Sequence, residues 1–145
     1  MGQPVPHITA AELKMMKVLW RIGSGTVREV RDELATEEGE AQAYTTVMTL
    51  MNQLAAKRAL TVDRSRQPFV YSPAVRRDKV LGDRLAQFLQ TVFDGQAGEL
   101  VLRLVEEADI SPEDLRRIEV KIDDREREGA PQDVSVSRKK KGERR

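Results

Sequence analysis

Apolar positions along the chain recur every three to four residues, then alternate briefly, then return to the longer period. Leu13, Met16, Leu19 and Trp20 share one helical face, as do Val27, Val30 and Leu34, and then Val47, Leu50, Met51 and Leu54. Leu60 and Val62, then Phe69 and Tyr71, follow the two-residue period of strands, with Asp63 to Pro68 as the turn between them. The helical period returns at Leu81, Leu85, Phe88 and Val92, at Leu100, Val101, Leu104 and Val105, and at Leu115, Ile118 and Ile122. The pattern predicts three helices, a two-stranded hairpin and three more helices.

Local signals set the expected ends. Thr9-Ala10-Ala11-Glu12 and Thr26-Val27-Arg28-Glu29 both fit the capping box, so helices start near Ala10 and Val27. Gly23 and Gly25 end the first helix, and an acidic loop from Glu37 to Glu40 follows the second. The third helix is expected from Tyr44 to Arg58, and the fourth from Arg76 to Phe93, broken by Asp94-Gly95. Ser111-Pro112-Glu113-Asp114 opens the last helix with an N-cap serine, a proline at the first helical position and acids in the first turn. Beyond Arg125 periodicity stops, and a disordered basic tail is expected over 125–145. The fold class is therefore mainly α. A winged helix-turn-helix occupies 1–75, and a helical region occupies 76–124, whose narrow apolar stripes call for burial against a second copy.

The candidate chemistry sits on the third helix and the hairpin. Opposite its apolar face the helix carries Thr45, Thr46, Met48, Thr49, Asn52 and Gln53. Threonine hydroxyls and methyls suit base edges, and Asn or Gln can pair with adenine. Lys57 and Arg58 at the far end suit phosphates better than bases, and Arg64 and Arg66 in the hairpin turn suit the backbone or the minor groove. No carboxylate occurs from Ala41 through Val62, although 34% of the chain is charged. In a helix-turn-helix the second helix of the pair enters the major groove. Read alone, the same helix is an ordinary amphipathic core helix and the basic turn a solvated loop; the order of elements favours DNA.

Charge and composition narrow the classes. Net charge is +1, but 76–124 carries 8 basic and 12 acidic residues, which makes it a protein-contact region and a poor DNA surface. The chain of 145 residues has no cysteine and one histidine, His7, so disulfides, thiol catalysis and Cys/His metal sites are excluded. Glu106-Glu107 and Asp123-Asp124 are neighbours in sequence that point apart on a helix, so they read as solvated faces. There is no nucleophile–base pattern, phosphate loop, signal peptide or membrane-spanning run. A cytoplasmic, non-enzymatic protein without cofactor is expected.

Several segments carry a resemblance: ITAAELKMMKVLW at 8–20, TVREVRDEL at 26–34, YTTVMTLMNQLAAKRAL at 44–60, FVYSPAV at 69–75, FDG at 93–95 and LVLRLVEEADISPEDLRRI at 100–118. Over about residues 8–124 the chain resembles the penicillinase-repressor family (BlaI/MecI/CopY type) of bacterial transcription regulators. The resemblance implies a homodimer that binds an inverted-repeat operator, often with TACA and TGTA elements, and represses transcription. It places the dimer interface in the helices from 76 onward, here on Leu100, Val101, Leu104, Val105, Leu115, Ile118 and Ile122. Some members are released by proteolysis triggered by a membrane-bound sensor of β-lactams. The Asn-Phe bond cut in staphylococcal-type members matches Arg103-Leu104 here. Those members also carry lysine and arginine where this chain has Thr45 and Met48. The copper-responsive branch uses C-terminal cysteines, which this chain lacks.

Two other readings compete with a dimeric repressor. A winged-helix module that contacts only protein would not need an acid-free helix face beside Arg64 and Arg66. A ligand-sensing repressor would need a sizeable pocket, which a short, aromatic-poor helical region is ill suited to form.

Overall fold

The structure, a computed structural model, describes residues 5–133, with side chains described through residue 129. Helix α1 (Ala10–Ile22) begins where Thr9 Oγ1 accepts the Glu12 N–H at 3.1 Å and Glu12 Oε1 accepts the Thr9 N–H at 2.9 Å. Helix α2 (Val27–Glu38) repeats this reciprocal cap through Thr26 and Glu29. Each cap satisfies two N–H groups that a helix start otherwise leaves unpaired. Gly39, at φ 85°, closes α2 in the left-handed region, where a side chain would be strained.

Helix α3 (Tyr44–Ala56) has no side-chain cap. Its approach is held by Arg31, whose Nε donates to the Gln42 carbonyl at 2.7 Å. The helix ends two residues short of the expected Arg58, because Arg58 turns to φ 68° and the Ala59 N–H closes back onto the Leu54 carbonyl at 2.9 Å. That sharp reversal delivers the chain into strand β1 (Leu60–Asp63), which pairs antiparallel with β2 (Val70–Pro73). The register sets Leu60 against Pro73 and Val62 against Tyr71. Gly25 adds a short third rung, exchanging bonds of 2.9 and 2.8 Å with Tyr71.

Met15, Met16, Leu19, Val30, Leu34, Val47, Met51, Leu54, Leu60 and Tyr71 form one buried core. Each large apolar side chain so buried contributes roughly 1.5–3 kcal/mol relative to exposure. Helix α4 (Arg77–Phe93) enters this core through Val80, which is 1% exposed. Just before it, Trp20 Nε1 donates to the Val75 carbonyl at 3.0 Å. The first compact unit runs through Thr91 and so takes in most of α4.

In the second unit, Asp94 (φ 52°) and Gly95 (φ 80°) separate α4 from α5 (Ala97–Glu107). Helix α6 (Pro112–Asp133) starts with Ser111 Oγ accepting the Asp114 N–H at 3.0 Å. It continues past Arg125, where the apolar period ends, and Arg127 and Asp124 lie 3.5 Å apart on this stretch. Residues 134–145 of the expected tail lie outside the described residues. No side chain of α5, nor of α6 where described, is buried. Among the described residues, no helix is long and apolar enough to cross a membrane.

Candidate nucleic-acid interface

The two faces of α3 separate as the apolar spacing predicts. Val47, Met51 and Leu54 are fully buried and Leu50 is half-buried, whereas Thr45, Thr46, Thr49, Asn52 and Gln53 are exposed. Met48 divides its side chain between the two: it is half-buried, and lines an apolar recess of about 190 Å³ with Val27, Tyr44, Pro68, Phe69 and Tyr71. It therefore packs against the hairpin as well as facing outward.

Among the described residues, one side-chain hydrogen bond ties the hairpin to α3. Tyr71 Oη donates to Asn52 Oδ1 at 2.8 Å. Burial of Tyr71 pushes its phenol pKa up, which keeps this donor protonated. Asn52 was expected to read adenine, which asks its amide both to accept and to donate. The structure gives its oxygen to Tyr71, leaving the amide N–H groups free of that bond.

At the tip, Asp63 Oδ1 accepts both the Ser65 hydroxyl at 2.6 Å and the Ser65 N–H at 3.0 Å. These bonds, followed by the charge of Arg66, hold the Asp63 carboxyl below its ordinary pKa. An aspartate bonding its own backbone two residues on makes a compact turn. Within that turn Arg64 places its guanidinium 5.7 Å from the centre of the Phe69 ring, within cation–π range. Arg64, Arg66 and Arg58 are all exposed.

Lys57 is engaged within the fold. Its ammonium donates to Glu12 Oε1 at 2.6 Å and to the His7 carbonyl at 2.8 Å, so two of its three donors are turned inward. Periodicity gave no sign of Tyr44. It lies in the first turn of α3 with 47% of its surface exposed, an unusual position in a chain that is only 4% aromatic. Among the described residues, no group of three or more His, Asp or Glu side chains could hold a metal ion.

Three helices in this order, followed by a hairpin bonded back to the third, define a winged-helix module. The Penicillinase repressor family model matches residues 8–124, and the chain belongs to that family, a family of transcriptional repressors. The Penicillinase repressor of Bacillus licheniformis is 28% identical over 114 residues, which is 79% of this chain and 88% of that protein. The methicillin resistance regulatory protein MecI of Staphylococcus aureus is 22% identical over 112 residues, 77% of this chain and 89% of that protein. The solution structure of the DNA-binding domain of the repressor BlaI is 31% identical, with a TM-score of 0.46, over 54% of this chain and 93% of that domain.

Proposed function

We propose that this chain is a transcriptional repressor that binds double-stranded DNA as a homodimer on an inverted repeat. The observation that carries the reading is the exposed, carboxylate-free face of α3, bonded through Asn52 and Tyr71 to a hairpin that presents Arg64 and Arg66. In this reading Thr45, Thr46, Thr49 and Gln53 meet base edges, assisted by Met48 and the free amide of Asn52. Arg58, Arg64 and Arg66 meet phosphates or the minor groove. The exposed apolar residues of α5 and α6 support a second copy as the other partner. They range from 41% exposed at Ile118 to 66% at Leu102, and soluble monomers seldom carry so many side by side. Release by proteolysis of the dimerisation region completes the reading. The Arg103–Leu104 bond lies inside α5, where Arg103 also pairs with Glu107 at 2.7 Å, so cutting there needs local unwinding.

Fluorescence anisotropy tests the DNA contact, using a random duplex and a duplex that the wild-type protein selects from a randomised pool. Affinity should fall linearly in log salt on both. Thr49→Ala should lose roughly 1–3 kcal/mol on the selected duplex and almost nothing on the random one. A wild-type protein that binds neither duplex rules out the reading.

A further inference from the structure

Among the described residues Glu12 is the one charged residue in the core: its side chain is 2% exposed. A carboxylate so placed is costly unless it is paired and its lone pairs are used. Here Oε1 accepts both the Thr9 N–H at 2.9 Å and Lys57 Nζ at 2.6 Å. Lys57 is the C-cap residue of α3 and also holds the His7 carbonyl at 2.8 Å. The next carbonyl, that of Ile8, accepts from Arg84 of α4. The segment before α1 is thus clasped by one cation from the end of α3 and another from α4, and Glu12 anchors the first of them.

An apolar pair would fill the same space and avoid the cost of desolvating two charges. What it would lack is direction. A bond of 2.6 Å to a fixed oxygen adds a directional tie between the end of α3 and the start of α1 to the packing of their buried faces. The consequence is amplified along the helix. A tilt of about 10° at one end of a helix roughly 18 Å long moves the other end by about 3 Å, the length of a hydrogen bond to a base.

We propose that Glu12 and Lys57 are positioning residues that set the angle at which α3 presents Thr45 and Thr49, and that Lys57 makes no phosphate contact. The proposal rests on the DNA-binding reading above. Lys57→Met alone strands a buried carboxylate and can fail to fold, so the decisive variant is Glu12→Gln/Lys57→Met, which leaves neither charge behind. It is compared with wild type on the selected and random duplexes across a salt series, well below the melting temperature of both. We expect about a tenfold or greater loss on the selected duplex, random-duplex affinity within about twofold, and an unchanged salt slope. Lys57→Arg, which can still reach Glu12, should recover much of the selected-duplex affinity. A slope smaller by about one, with equal losses on both duplexes, would make Lys57 a phosphate contact and overturn the proposal. A lower melting temperature with both affinities intact would overturn it as well, leaving the pair a stability element only. A wild-type protein that binds neither duplex removes the DNA-binding reading, and this proposal with it.

Discussion

Glu12 shows how two opposing effects on one carboxyl are resolved. Burial acts to raise its pKa, but the hydrogen bonds from Lys57 and Thr9 and the positive charge of Lys57 outweigh burial and hold it below the ordinary value of 4.5. A depressed folded pKa stabilises the fold above the ordinary value, and that stability is lost as pH falls through the folded value. The urea midpoint of the wild type should therefore drop more steeply below about pH 4.5 than that of Glu12→Gln. At neutral pH, Lys57→Met should cost roughly 2–3 kcal/mol; a fully buried pair would cost more, but the Lys57 side chain is 31% exposed. The double variant should recover part of this. Equal stability of Lys57→Met and the double variant would mean that Glu12 takes up a proton once Lys57 is gone. This pair was not legible in the sequence. The two residues lie 45 positions apart, and each already had a sufficient local explanation, Glu12 as a capping residue and Lys57 as a basic helix end.

At the scale of elements, legibility followed range. Both capping boxes and the Ser111 start connect residues three apart, so local chemistry decides them, and they stand where the sequence placed them, whereas α2 runs on through Glu37 and Glu38, which were expected in a loop, and ends at Gly39. The end of α3 also differs, because Arg58 adopts a left-handed turn that its residue type does not announce. Helix α6 outran its apolar stripe, which periodicity could not foresee because the residues past Arg125 carry no apolar repeat. The link between Tyr71 and Asn52 spans 19 residues and no periodicity encodes it, although it decides how hairpin and helix act together. The hairpin's own contribution can be isolated at its tip. Arg64→Ala/Arg66→Ala leaves the Asp63–Ser65 turn and the Tyr71 bond in place. It should weaken binding to every duplex and reduce the salt slope by about 1–2. An unchanged slope would remove the hairpin from the DNA interface.

At the scale of the whole molecule, the two units differ in how they satisfy their apolar residues. The first buries Met15, Met16, Leu19, Met51 and Leu54 completely within one chain. The second leaves Val101, Leu104, Val105, Leu115, Ile118 and Ile122 exposed, with Leu100 only half-buried. If a two-fold partner covers these stripes, each assembly carries two α3 helices, one for each half of an inverted repeat. Operator half-sites should then lie about one helical turn apart, or a multiple of it. Ile118→Asp would place a charge in that interface without touching the first unit's core. Sedimentation at micromolar concentration should show a dimer for the wild type and a monomer for Ile118→Asp. The variant's first unit should keep its thermal transition, because no residue of its core is changed. Its affinity for the selected duplex should fall far more than its affinity for random DNA, since the loss is that of two half-sites held at one spacing. A wild-type protein that sediments as a monomer, both free and on DNA, would exclude the dimer and remove the physical reason for an inverted repeat.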